Sequence, residues 1–186
     1  MIGYKTFYFD MTCRPTNDIV FQYEIGKTFS MDEPPVLCER GFHFWGSLRD
    51  VYSLYLAKFH VRVCEVEALG HVTMYFDKIA TDRIRIVREI APKNLLAVLT
   101  RTVREFKDDT EYCRHYRRRA EWDIRMIRES LKEYRDKCAT FVLLSDGHLP
   151  VFRVGDATTE QREWLRKRAK EWEDAFELFK GEEAAQ

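Results

Sequence analysis

The strongest constraint on the fold of this chain is a change of hydrophobic period at Pro92. Before it, apolar and polar residues alternate in short runs, which is the period of strands with one buried face. After it, apolar residues recur every three or four positions, the period of amphipathic helices. The sequence therefore predicts an α+β fold, with a β-rich domain over residues 1–92 and a helical extension over 93–186 that packs with it as one unit.

The first domain is expected to form a small antiparallel sheet and one helix. Runs typical of strands lie at residues 4–9, 19–23, 41–45, 61–69, 71–76 and 84–90. A helix is predicted to begin at Leu48, capped by Ser47 or Gly46, because apolar residues recur at helical spacing from there to Leu56.

The extension is expected to run helix, helix, hairpin, helix. A break is predicted near residues 107–110, and a β-hairpin near 140–154, where Asp-Gly favours a tight turn. Thr158 and Gln161 form a capping box that opens the last helix, and Gly181 begins a frayed tail. The helices carry apolar stripes that must be buried against the sheet or against each other; the stripes include Leu96, Val103, Ile124, Phe176 and Phe179.

Charge cancels over the whole chain but not along it. Lys plus Arg and Asp plus Glu both number 31, so the net charge is zero, which excludes a uniformly basic nucleic-acid coat. Residues 100–137 nevertheless hold 12 basic and 9 acidic side chains, whereas 160–186 hold 6 and 8. The excess predicts a partner-binding strip for phosphate or an acidic protein, formed by Arg114, Arg117, Arg118, Arg119, Arg125 and Arg128.

That strip has a simpler interpretation as a solvated helix face. Its arginines would then pair with Glu111, Glu121 and Glu129. The acidic last helix could also neutralise the basic one by packing against it.

Cysteine usage and hydropathy bear on the compartment. The five cysteines are an odd number, widely spaced and without a CxxC pair, which is typical of free thiols in a reducing cytosol. No apolar stretch approaches the ~20 residues that span a bilayer. We therefore expect a cytoplasmic protein with no membrane partner, no metal and no cofactor.

Residues 38–46 form the densest cluster of candidate ligand-binding side chains. Two glycines flank three aromatic residues and a histidine, and glycine lets a flat ligand approach the backbone closely. The predicted ligand-binding residues are Gly41, His43, Trp45 and Tyr52. The alternative is a core strand in which His43 is simply hydrogen-bonded.

Two carboxylates could supply acid–base chemistry. Glu65 and Glu67 are two residues apart on a predicted strand, so they share a face. One could act as a general base, its pKa raised by its neighbour; the alternative is a solvent-facing strand. The sequence contains no phosphate-binding glycine loop, nucleophile elbow or HExxH motif, so no complete catalytic set is predicted.

Residues 3–92 resemble an uncharacterised domain family common in bacteriophages and prophages. The resemblance rests on the order and spacing of residues 13–14 (CR), 21–27 (FQYEIGK), 37–44 (LCERGFHF), 64–70 (CEVEALG) and 84–90 (IRIVREI). It implies a phage or prophage origin, and so a location in the host cell cytoplasm. The family carries no established activity to transfer.

A fainter resemblance links residues 41–44, the following helix and residues 63–70 to the ADP-ribosyltransferase fold. It implies NAD as cofactor, with His43 in place of the tyrosine that stacks on nicotinamide. Glu67 or Glu89 would be the acidic residue.

Three functional hypotheses follow. The leading one is a non-catalytic phage-type protein that binds a host protein or a nucleotide, for example as an antagonist of host defence. The second is an ADP-ribosyltransferase-like enzyme using NAD. The third is nucleic-acid binding through the basic helix.

Overall fold

The computed structural model describes residues 1–13, 20–52, 57–137 and 158–184. An antiparallel sheet in the first half is followed by helices, which confirms the α+β class. The described residues form two units, the first comprising 1–13, 22–52 and 61–90, and the second comprising 20–21, 57–60, 91–137 and 158–184. Residues 57–60 therefore group with the helices although they precede Pro92.

The first unit is built on a seven-stranded antiparallel sheet. The described residues form nine strands: β1 (Ile2–Phe7), β2 (Thr12–Cys13), β3 (Phe21–Gln22), β4 (Thr28–Ser30), β5 (Phe42–Trp45), β6 (Arg62–Ala68), β7 (Val72–Tyr75), β8 (Lys78–Thr81) and β9 (Arg83–Glu89). The sheet order is β4-β9-β6-β1-β5-β8-β7, while β2 and β3 form a separate two-stranded sheet. Alternation along the strands buries one face, with Phe7, Phe44, Val66, Ile84 and Ile86 in the core.

Two strands of this sheet were not predicted. β4 has three residues and β8 has four, and Ile79, Ala80 and Thr81 are all buried. A strand that is buried on both faces, as β8 is, does not alternate between apolar and polar residues. Its sequence therefore lacks the two-residue period by which a strand is predicted.

The helix predicted from Leu48 is a single 3-10 turn, Leu48–Asp50. Its cap is confirmed, because the Ser47 hydroxyl accepts a hydrogen bond from the Arg49 backbone at 3.2 Å. The expectation of a continuing helix is wrong at Val51 and Tyr52, which form a turn and are both buried in the core. Residues 53–56 lie outside the described residues.

In the part of the second unit that the structure describes there are three helices: α1 (Pro92–Glu105), α2 (Glu111–Lys137) and α3 (Thr159–Ala184). Proline suits the first turn of α1, where its missing N–H would have no helical partner. The predicted break is confirmed, since residues 106–110 separate α1 from α2. The helix α3 runs through Gly181 to Ala184, so the expectation of a frayed tail is wrong for residues 181–184. Residues 185–186 lie outside the described residues. The hairpin expected near 140–154 lies outside the described residues.

The capping box at the start of α3 is confirmed. The Thr158 backbone donates to Gln161 Oε1 at 2.9 Å, and the Gln161 backbone donates to Thr158 Oγ1 at 3.2 Å. Each side chain satisfies a backbone N–H that has no partner within the helix.

Residues 57–60 are held in the helical unit by hydrogen bonds on both sides of Phe59. Its backbone N–H donates to Ser130 Oγ on α2 at 3.1 Å, and its carbonyl accepts from Trp172 Nε1 on α3 at 3.0 Å. Trp172 is fully buried, and the Phe59 ring lies 5.1 Å from that of Tyr134. This short segment is therefore part of the core of the helical unit.

Candidate functional site

The three helices of the second unit enclose an open groove of about 510 Å³. Its floor is apolar, formed by Leu96, Val103, Ile124, Phe176 and Phe179. Leu96 and Phe176 are buried, but Val103, Ile124 and Phe179 are only half-buried. The groove has the volume of a ligand site and leaves apolar surface in a concave place.

The rim of this groove is charged, with a basic excess. Four cations and two carboxylates line it, a net of two positive charges: Arg104, Arg125, Arg128 and Lys180 against Glu121 and Glu129.

Aromatic rings hold two of these guanidinium groups in place. Arg128 lies over the Phe176 ring at 4.6 Å, and Arg125 lies over the Trp122 ring at 4.5 Å and 4.0 Å from Glu129. Stacking on an aromatic face fixes the orientation of a guanidinium group. The basic rim is therefore partly preorganised.

The predicted basic strip is spread around α2 rather than along one face. Arg125 and Arg128 line the groove. Arg118 precedes Arg125 by seven residues, so it lies on the same side of the helix, two turns away. Three of the six predicted partner-binding arginines thus lie along or beside the groove.

The other three arginines lie elsewhere on α2. Arg114 lies 3.7 Å from Asp109, and Arg117 is half-buried. Arg119 lies 3.3 Å from Asp123, a carboxylate that is almost completely buried. Burial raises the pKa of Asp123 to about 6, although the charge of Arg119 opposes that rise.

The residues predicted as a ligand or catalytic site divide between the two faces of the sheet. Trp45 pairs with Tyr4, and Tyr4 pairs with Glu65, so these three form a row across neighbouring strands. Strand alternation adds His43 and Glu67 to the same face. Glu89 pairs with Cys64 and lies on the opposite face.

His43 and these carboxylates do not converge. The strand β1 separates β5 from β6, a distance of about 10 Å, and β9 lies about 14 Å from β5. Each carboxylate instead faces an arginine of a neighbouring strand: Glu65 with Arg88 at 2.9 Å, Glu67 with Arg85 at 4.0 Å, and Glu89 with Arg62 at 2.6 Å. The acid–base and NAD hypotheses gain no support from these positions.

His43 is engaged by the protein itself. Its Nε2 accepts a hydrogen bond from the Cys38 backbone at 2.9 Å, and its carbonyl accepts one from Lys5 Nζ at 2.8 Å. Burial lowers the pKa of His43, as does the charge of Lys5, against a hydrogen bond to the Gly41 backbone. The ring is therefore neutral at pH 7. This arrangement matches the alternative interpretation of His43, that of a hydrogen-bonded histidine on a core strand.

The other predicted ligand-binding residues lie in packed surroundings. Gly41 has φ +125°, and a Cβ there would lie 3.1 Å from the Pro35 side chain and 3.3 Å from that of Ala80. Trp45 and Tyr52 are only 7% and 1% exposed. The glycine thus accommodates protein atoms at the place where the sequence suggested room for a ligand.

The groove was missed from the sequence, although its floor residues carried a signal. They belong to the apolar stripes that were expected to be fully buried, and only the packing shows that Val103, Ile124 and Phe179 remain half-exposed. A second missed feature is a hydrogen-bonded contact in which His71 Nδ1 lies 2.7 Å from Asp82 Oδ2. His71 precedes β7 and Asp82 follows β8. The two residues are eleven positions apart and meet at the open end of that hairpin, which no local pattern reveals.

The described part of the chain contains no group of three or more His, Cys, Asp or Glu side chains placed to hold a metal ion. None of its helices combines the length and the hydropathy that crossing a membrane requires.

Comparison with known proteins places the first half of the chain in a family. A model described as a domain of unknown function, DUF7666, matches residues 1–98 of 186. No curated protein and no solved structure matches the chain. The matched region contains all nine strands and the first half of α1. The chain therefore belongs to the family of the domain of unknown function DUF7666.

Proposed function

We propose that this chain is a binding module that captures an acidic amphipathic helix of a partner protein in the groove between α1, α2 and α3. The observation that carries the proposal is a half-buried apolar floor inside a rim with a basic excess. Its function is binding rather than catalysis.

The floor supports a helix as the bound element. An α-helix is about 10 Å across with its side chains and presents an apolar stripe with a polar residue on either side. Val103, Ile124 and Phe179 come from three different helices, so together they offer one concave apolar surface to such a stripe. Helix-in-groove recognition uses apolar anchors at helical spacing.

The rim supports acidic flanks on that helix. Four cations against two carboxylates attract Asp and Glu on either side of the bound stripe. The polyphosphate of a nucleotide makes no use of the apolar floor, whereas the apolar stripe of a helix covers it. A protein segment therefore fits the groove better than a nucleotide or a nucleic acid.

The location of the partner is part of the same proposal. The resemblance of residues 3–92 to phage and prophage domains supports a phage-encoded protein acting in the host cytoplasm. Capture of a host protein there would suit an antagonist of host defence.

A pair of labelled peptides tests the binding mode. An acidic amphipathic 18-residue helix, with Leu and Phe on one face and Glu on both flanks, is titrated against the full chain by fluorescence anisotropy. The comparison peptide carries Lys in place of every Glu. We expect saturable binding of the acidic peptide that weakens with added salt, and weaker binding of the basic one.

Two variants locate the binding. Arg128→Glu removes a cation from the rim and should weaken binding of the acidic peptide by about tenfold. Arg166→Glu makes the same charge change at an exposed position on α3 outside the groove lining, and it should bind like wild type. Equal loss in both variants, equal binding of both peptides, or binding of ATP in place of the peptide would each contradict the proposal.

A further inference from the structure

The open edge of the sheet at β7 has an unusual surface. Among the described residues β7 pairs only with β8, and all of its side chains except the half-buried Thr73 are large, hydrophobic and exposed. Met74 is 60% exposed, Tyr75 65%, and Phe76, in the turn that follows, 81%. Soluble proteins usually protect such edges with charged residues, proline or bulges. Residues 72–76 include no charged residue and no proline.

The hydrogen bonds of the β7–β8 hairpin show which backbone groups face the open edge. Tyr75 pairs with Lys78 across a two-residue turn, and the Asp82 N–H donates to the His71 carbonyl. In an antiparallel ladder hydrogen-bonded residues alternate, so residues 71, 73 and 75 bond inward to β8. The N–H and C=O groups of Val72 and Met74 therefore point outward.

These outward groups define how a second strand can be added. In an antiparallel partner strand, the residues opposite Val72 and Met74 must be ones whose own N–H and C=O groups point towards β7. A second copy of β7 satisfies this condition when Val72 of each copy opposes Met74 of the other. Four backbone hydrogen bonds then form, the four apolar side chains meet on one face, and Thr73 faces Thr73 across the two-fold axis.

The charge pattern favours a second copy as the occupant. Because the strand is uncharged, two-fold pairing brings no like charges together, and a Thr–Thr pair at the centre is a favourable cross-strand contact. The opposite edge differs, since β4 carries Thr28 and Ser30 and follows Lys27. Self-complementarity is thus a property of the β7 edge.

We propose that two copies of this chain associate through their β7 strands, Val72–Tyr75, in an antiparallel two-fold arrangement that joins the two sheets. The surface is independent of the helical groove. One strand from each copy makes a small interface, so association rises with protein concentration. The attached hairpin tip, Tyr75 and Phe76, adds aromatic contacts, its two rings lying 4.5 Å apart.

Sedimentation equilibrium of the full chain at concentrations up to about 500 µM tests this arrangement. Wild type should show an average mass that rises above 22.3 kDa with concentration. Thr73→Lys and Thr73→Glu each set like charges against each other at the axis, so each alone should weaken association by about tenfold or more. An equimolar mixture of the two variants should associate again, because Lys then faces Glu.

The control is Leu178→Lys, which changes an exposed apolar residue of α3 and leaves β7 intact, and this variant should associate like wild type. Circular dichroism checks that all variants are folded. Three outcomes would overturn the proposal: a wild type that stays at monomer mass at the highest concentration, Thr73 variants that associate as wild type does, or a mixture no better than its components.

Discussion

Replacing Asp123 by asparagine should stabilise the protein at neutral and alkaline pH. The carboxylate lies on α2 with 1% of its surface exposed, between the buried residues Ala120 and Ile127. Its partner Arg119 lies at its edge, with Nε 3.3 Å from Oδ1. Burial outweighs this attraction and raises the pKa of Asp123 to about 6. Asparagine keeps the shape and the acceptor oxygen and removes the charge.

The size of the effect follows from the pKa difference between the folded and unfolded states. The folded value is about 6 and the ordinary value is 3.8, a difference that corresponds to about 3 kcal/mol at 1.36 kcal/mol for each pKa unit. The folded state holds the proton more tightly, so this contribution is complete below about pH 4 and is lost as the pH rises through 6. The gain on replacement should therefore be about 2–3 kcal/mol at pH 8 and near zero at pH 4.

Urea unfolding followed by circular dichroism at a series of pH values between these limits measures the difference. Asp108→Asn removes an exposed carboxylate from the segment before α2 and should shift the unfolding free energy little at any pH. A wild-type stability that does not fall between pH 4 and 7 relative to Asp123→Asn would refute the reasoning, as would an Asp123→Asn variant less stable than wild type at pH 8.

Three other substitutions test separate features of the structure. Trp172→Phe removes the indole donor to the Phe59 carbonyl and should lower the unfolding free energy in urea by about 1–3 kcal/mol; an unchanged value would contradict the role given to that bond. Gly70→Ala places a Cβ in steric conflict with Asp82 Oδ1, so the carboxylate must move away from His71. The pKa of Asp82, lowered by that histidine, should then rise in an NMR titration, and an unshifted value would argue against the contact. Phe76→Asn relieves a φ of +51° and should raise the melting temperature, because asparagine tolerates that region at a saving of about 1 kcal/mol; a lower melting temperature would count against strain there.

Hydrophobic periodicity and helix capping, which depend on residues close together in the chain, predicted much of the secondary structure. Pro92 begins α1, as the change of period required, and the side chains of Thr158 and Gln161 cap the start of α3. These features depend on residues close in the chain, where propensity and capping act directly. The helix predicted after Ser47 extends for one turn only, since Val51 and Tyr52, at helical spacing from Leu48, reach the core from a turn.

The candidate site was harder to predict, because it depends on packing between distant segments. Helical spacing placed Ile124 and Phe179 on apolar stripes but could not show that a third helix leaves part of each uncovered. The aromatic cluster around His43 suggested a ligand site from the sequence. In the structure Gly41 packs closely against protein side chains, and the His43 imidazole accepts a hydrogen bond from the Cys38 backbone. Composition identifies residues capable of binding, but not which ones the fold leaves accessible.

The hydrogen bond between Phe59 and Trp172 also affects the order in which the chain can fold during synthesis. The two residues are 113 positions apart, and a ribosome adds that many residues in about 6–23 s. Ser130 on α2 follows Phe59 by 71 residues, so residues 57–60 gain α2 within that interval but lack Trp172 of α3 until its end. Until both helices have formed, the aromatic ring of Phe59 is open to other nascent chains. The helical unit can close only after most of α3 has emerged, so a chaperone that covers this segment would act before that point.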